Sequence, residues 1–208
     1  MTEGEAKSAL NVPCETLARL EAFADLLREE NTRQNLVSKA SLDHLWSRHI
    51  LDSAQLLPLA APGAWVDLGT GAGFPGLVTA LLRPDPTTLI ESRRLRADFL
   101  SRAIAILGIA DRAEVLCAKV ETLPFRRFAV ISARAFAPMD KLLTLGERFA
   151  DDQTIWLLPK GRNAQTELAA AGASWQGDFR LEPSVTDPDS WIVVAGQVRR
   201  RVKGKKAR

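Results

Sequence analysis

Cysteine is scarce in this 208-residue chain: only Cys14 and Cys117 occur, far apart and in no C-x-x-C pair. That argues against a disulfide scaffold or a metal site and fits a reducing cytoplasm. Cys117 closes an apolar run, where a small buried hydrophobe is the ordinary expectation. Long apolar runs are missing as well. Nothing approaches the ~18 residues of a membrane span, and Met1 to Leu10 carries acids where a signal peptide would not. Internal repeats and low-complexity segments are absent, so neither a solenoid nor a tethered array is indicated.

What remains suits one α/β domain with a sizeable core, since 46% of the residues are hydrophobic and 25% charged. The net charge of +3 is unevenly spread. Seven of the 28 basic side chains lie in the last eleven residues, Val198 to Arg208, with no acid among them. A basic tail of that kind points to a polyanion, nucleic acid ahead of membrane. The division expected is a helical region over 1–62, a catalytic domain over 63–198 and a tail over 199–208.

The organising stretch is Ala64 to Gly76, which reads as a short strand, a glycine-dense turn and a helix carrying Pro75 in its first turn. Gly69, Gly71 and Gly73 let the backbone turn tightly and bring bare N–H groups against a ligand. A second strand, Thr87 to Ile90, ends on Glu91, a carboxylate placed to suit ribose hydroxyls. Gly71 to Gly76 also satisfies the G-x-G-x-x-G dinucleotide pattern. Asp67, however, would face the pyrophosphate of a dinucleotide, and suits instead a ligand bearing ammonium and sulfonium charge. The form D-x-G-x-G-x-G resembles the S-adenosylmethionine loop of class I methyltransferases. A nicotinamide-dependent oxidoreductase is the competing enzyme reading, and an RNA-binding module with a vestigial pocket is the non-enzymatic one.

Along the chain, Pro13 to about Glu30 predicts an amphipathic helix, and a second opens at Ser41 and runs to about Leu57. His49, Asp52 and Ser53 fall on the apolar stripe of that second helix, so they need partners; Arg48 is one turn before Asp52 and suits it. Ser92 reads as the cap of a helix stopped by Gly108. Strands follow at 113–117, 128–131 and 154–158, a helix from Pro138 to about Phe149, then strands near 179–181 and 191–198. This alternation predicts a parallel sheet covered on both faces, its ligand at the carboxyl ends of the strands. Asp67, Glu91, Glu121, Arg134 and Lys160 each stand at such an end and should share one rim.

Five motifs carry a more specific resemblance: Asn35-Leu36-Val37-Ser38, Arg48-His49-Ile50-Leu51-Asp52-Ser53, the loop Asp67 to Gly76, Ser132-Ala133-Arg134-Ala135, and Leu158-Pro159-Lys160-Gly161. From about Asn35 to Lys160 the chain resembles the small-subunit ribosomal RNA guanine-N7 methyltransferases, once named glucose-inhibited division protein B. The resemblance implies a class I, Rossmann-like α/β methyltransferase fold, a mostly parallel seven-stranded sheet preceded by helices. It implies S-adenosylmethionine as cofactor and, as substrate, a guanine in the decoding-region loop of 16S rRNA, in the 30S subunit or a precursor. Cofactor contacts would fall at Gly69, Phe74, Val120, Glu121 and Arg134, beside Asp67, Gly71, Gly73 and Glu91 from the loop reading. Arg134, Lys160, His49 and Asp52 would serve the reaction, and Asn35, Arg48, Lys119 and Phe136 the RNA. Lys119 stands where an arginine is familiar. Guanine N7 has an in-plane lone pair and needs no general base, which agrees with the lack of an N-P-P-Y loop. Phe136 or Trp46 is expected to stack on the base.

Overall fold

A computed structural model describes residues 1–201. Seven strands form one sheet: β1 (Trp65–Leu68), β2 (Thr87–Glu91), β3 (Ala113–Cys117), β4 (Val130–Ser132), β5 (Ile155–Lys160), β6 (Trp175–Pro183) and β7 (Trp191–Arg200). Their order is β3-β2-β1-β4-β5-β7-β6. The first five pair in parallel, with Trp65 opposite both Thr87 and Val130; β7 runs antiparallel between β5 and β6. The chain winds outward from β1 to β3, then returns to the other side of β1 for β4. The crevice at that reversal, beyond the carboxyl ends of β1 and β4, is where ligands bind in such sheets.

Alternate strand residues face opposite layers. Val66, Leu68, Ile131, Trp156 and Val193 pack under α7 (Met139–Gly146) and α8 (Ala164–Ala171). On the other face α5 (Gly76–Leu82) and α6 (Arg94–Ile106) share one core with the N-terminal helices α1 (Glu3–Ala9) and α2 (Cys14–Gln34) through Phe23, Leu27, Leu77 and Phe99. The helices before residue 62 are thus packed into the same core as the sheet. Among the described residues no helix is long and apolar enough to cross a membrane, and no group of three metal-ligating side chains occurs.

Several local expectations need correction. The second helix is not continuous: a four-residue α3 (Lys39–Leu42) is capped by Ser38, not Ser41, and is followed by a π-helix over Trp46–Leu51 and the short α4 (Asp52–Ala54). A wider turn adds Ile50 and Leu51 to the buried stripe. Arg93, not Ser92, precedes α6 as its cap. Two helices with weak periodicity, α1 and α8, were not expected. Cys117 is exposed, because β3 is the edge strand and its terminal residue points outward. The expected tail boundary at 198 falls inside β7. Arg199 and Arg200 are ladder residues paired with Asp152 and Glu147, and Arg201 donates to the carbonyls of Gly172 and Trp175. The remaining tail cations, Lys203, Lys205, Lys206 and Arg208, lie outside the described residues.

Candidate active site

The glycine loop is held from beneath by Asp67. Its carboxylate is fully buried; one oxygen accepts the Gly76 backbone N–H (2.9 Å), the other the Ser132 hydroxyl (2.7 Å). Ser132 in turn accepts from the Trp65 indole (2.7 Å), so β1 and β4 are clamped side by side. A Cβ at residue 76 would stand 2.8 Å from that carboxylate, which is why a glycine must follow Pro75. Burial pushes the Asp67 pKa up, against the hydrogen bonds and the nearby Arg134 charge. Asp67 therefore lies behind the loop rather than on a cavity wall. Its influence on a ligand runs through the backbone it positions.

Glu91 plays a similar part at the next strand tip. It is 5% exposed; Oε2 accepts the Gly71 N–H (3.1 Å) and Oε1 the Arg93 N–H (2.7 Å). Gly69, Gly71 and Gly73 all adopt positive φ, at 68°, 60° and 99°. Beside them opens a cavity of about 290 Å³ whose walls include Gly69, Ile90, Val120, Glu121 and Lys119. Its walls mix apolar side chains with the Glu121 carboxylate, which is the chemistry of a nucleoside pocket, and a cofactor of the adenosyl type fits that donor set. Phe74 contributes no side chain there. Its ring is buried between Phe23 (5.4 Å) and the His49 imidazole (4.8 Å, stacked).

Across the crevice a larger cavity of about 720 Å³ is lined by Asp52, Arg134, Phe136, Lys160, Glu167 and Trp191, among others. Arg134 is its anchor. Its guanidinium donates to Asp52 Oδ2 (3.1 Å), to the Arg48 carbonyl (3.2 Å) and to His49 Nδ1 (2.9 Å), and lies over the Phe74 ring (5.1 Å). Since arginine can only donate, His49 Nδ1 accepts and the imidazole is the neutral Nε2–H tautomer. Burial, then the Arg134 and Arg48 charges, lower its pKa to about 3. Arg48 itself is exposed and is not the partner of Asp52, whose other oxygen takes Gln55 Nε2 (2.8 Å) and the Thr186 hydroxyl (2.9 Å). On the far wall the Lys160 ammonium donates to Glu167 (2.8 Å) and to the Ala137 carbonyl (3.2 Å).

Phe136 borders both cavities. Its ring rests directly on Gly69, where a Cβ would come within 2.2 Å of it. The preceding Ala135 holds a left-handed φ of 51° that turns the ring inward. Of the expected rim, Glu121, Arg134 and Lys160 face these cavities, Glu91 and Asp67 underlie the loop, and Lys119 stands at the smaller mouth. Asn35 is not brought in: it is exposed and ends α2 in a left-handed turn (φ 45°). Trp46 cannot stack on a base, being 3% exposed beneath the Lys7 ammonium (4.5 Å). The sequence reading missed Gln55, Glu167, Thr186 and Trp191. No local motif marks them; only the fold brings Thr186 to Asp52.

Sheet order, switch-point crevice and glycine loop together define a class I, Rossmann-like S-adenosylmethionine-dependent methyltransferase fold. Solved structures agree on that fold alone. A SAM-dependent methyltransferase from Aquifex aeolicus gives a TM-score of 0.59 at 15% identity, covering 79% of this chain and 96% of that one. P. horikoshii TYW2 in complex with MeSAdo gives 0.56 at 16%, covering 72% and 62%. Within the class, residues 16–186 match the family model for rRNA small subunit methyltransferase G, and the chain belongs to that family. Relatives named Ribosomal RNA small subunit methyltransferase G include those of Rhizorhabdus wittichii and Zymomonas mobilis. The first is 51% identical over all of this chain and 99% of its own; the second is 44% identical over 95% and 94%.

Proposed function

We propose that the protein transfers the methyl group of S-adenosylmethionine to N7 of a guanine in the decoding-region loop of 16S rRNA, in the 30S subunit or a precursor, in the cytoplasm. One observation carries the reading beyond its family: a nucleoside-type pocket and a cation-lined cavity share a single wall at Phe136. Gly69, Gly71, Gly73 and the Phe74 backbone, with Glu91, Val120 and Glu121, would hold the cofactor, and Asp67 would keep the loop in shape for it. When bound, that cofactor supplies an electrophilic methyl group on a sulfonium.

The chain's own part is orientation. Guanine N7 carries a free lone pair, so no side chain has to remove a proton before attack. This accords with His49, whose lowered basicity and occupied Nδ1 make it a poor general base. It braces Arg134, as Asp52 does from the other side. Arg134 and Lys160 would donate to guanine O6 or to a phosphate and hold N7 in line, an effect worth up to about 7–11 kcal/mol. Arg48 and Lys119, both exposed, would meet the RNA backbone. Incubating unmodified 30S particles with labelled S-adenosylmethionine should label one guanine at N7. Label on another base, or on none, overturns the assignment.

A further inference from the structure

The larger cavity contains a carboxylate that the proposed reaction does not use. Glu167, on α8, turns Oε2 toward the Lys160 ammonium (2.8 Å) and the Met139 backbone N–H (3.2 Å). Oε1 takes no hydrogen bond among the described residues, and the side chain is 34% exposed on the cavity wall. A carboxylate beside a polyanion repels its phosphates, so beyond holding Lys160 it can meet the substrate favourably only at a donor. Among the bases, guanine presents two adjacent donors on one edge, N1–H and the 2-amino group.

The order of polar groups along the wall matches that edge. Phe136 borders the cofactor cavity; the next residue, Ala137, fixes Lys160 through its carbonyl, and Met139 fixes Glu167 through its N–H. Ala137 borders both cavities, whereas Met139 and Glu167 do not border the smaller one, so the cation is anchored on the cofactor side and the carboxylate away from it. Guanine presents N7, then the O6 acceptor, then the N1–H and 2-amino donors. Adenine reverses two of these positions and lacks the third, setting an amino group against Lys160 and a bare N1 against Glu167, with no 2-amino group. We infer that Glu167 is a specificity-determining residue, its free oxygen accepting from the N1–H and 2-amino edge of the target guanine while Lys160 donates to O6. Trp191 lines the same cavity. This rests on the guanine-N7 reading above.

The test uses small subunits reconstituted with rRNA carrying guanosine or inosine at the methylated position. Inosine keeps N7, O6 and N1–H and lacks only the 2-amino group. The wild-type protein should prefer guanosine by about tenfold or more in kcat/KM. Glu167→Ala should use guanosine less well and bring the two substrates within about twofold of each other. Glu167→Gln, which retains an acceptor for Met139, should fall between, and decides the matter if the alanine variant folds poorly. A preference unchanged in both variants, or no wild-type preference, overturns the role of Glu167 while leaving N7 methylation standing. Failure of the wild-type protein to methylate guanosine at N7 overturns the parent reading instead.

Discussion

The two cavities that meet at Phe136 are built by opposite means. The smaller opens beside a backbone turn: three glycines at positive φ, with Asp67 and Glu91 holding N–H groups of the loop. The larger is held by charged side chains, Arg134 on His49 and Asp52 and Asp52 on Thr186 across long stretches of sequence, and Lys160 on Glu167 more locally. Backbone geometry is shared by every ligand that fits the turn. Charged pairs can exchange partners with a substrate, and their shells are open to solvent. A common cofactor suits the first construction, and a particular substrate the second.

Arg134→Ala should separate the two most clearly. It removes a partly buried donor from the substrate side, and a loss of about 10²–10³-fold in kcat/KM is expected. Stability should change little, because Asp52 keeps Gln55 and Thr186 as partners. Turnover equal to wild type would remove Arg134 from the site. Asp67→Ala should do the reverse. It orphans two buried donors, the Gly76 N–H and the Ser132 hydroxyl, at about 1–3 kcal/mol each. Relief of the desolvated carboxylate offsets part of this, leaving a net loss of about 3 kcal/mol in urea unfolding. A midpoint matching that of Arg134→Ala would mean the two halves are not built differently at all.

The same contrast explains what could be read from the chain. The glycine loop, the strand ends at Asp67 and Glu91, and the alternation of strands and helices are local patterns whose spacing is itself the signal. The orientation of Asp67 was not legible: a carboxylate two residues before a glycine looks the same in sequence whether it faces a ligand or the Gly76 N–H. The partner of Asp52 was misread for a related reason. Helical spacing favours Arg48, yet the π-helix turns Arg48 outward and Arg134, 82 residues away, takes its place. Glu167 and Thr186 lie in segments with no periodicity or motif of their own.

His49 provides a smaller test, read as pH dependence. Its folded pKa is about 3 against an ordinary 6.5, so between those values the unfolded chain binds the proton and the folded one does not. Stability is therefore complete above pH 6.5 and falls as the pH drops toward 3, with a slope of up to about 1.4 kcal/mol per pH unit from this group. His49→Gln keeps an acceptor for Arg134 and removes the titration. Its unfolding free energy should decline less steeply than that of the wild type between pH 6.5 and 4. Parallel curves would mean that the imidazole is free to protonate in the folded state.

The smallest effect reaches the substrate side from the far N-terminus. Glu3 Oε2 accepts the Trp46 N–H (2.8 Å), and Oε1 accepts the Ser47 N–H (3.1 Å) and hydroxyl (2.9 Å). It thus caps the π-helix that carries His49 and leads into Asp52, from more than 40 residues away. Glu3→Ala leaves those N–H groups without their acceptor, a cost of about 1 kcal/mol by analogy with helix caps. Because the loosened turn braces Arg134, kcat/KM for the RNA should fall several-fold, while S-adenosylmethionine binding, which depends on the backbone-built half, should not move. If cofactor binding weakened in step with turnover, the two cavities would be one mechanical unit. Their difference in construction would then have no difference in function to explain.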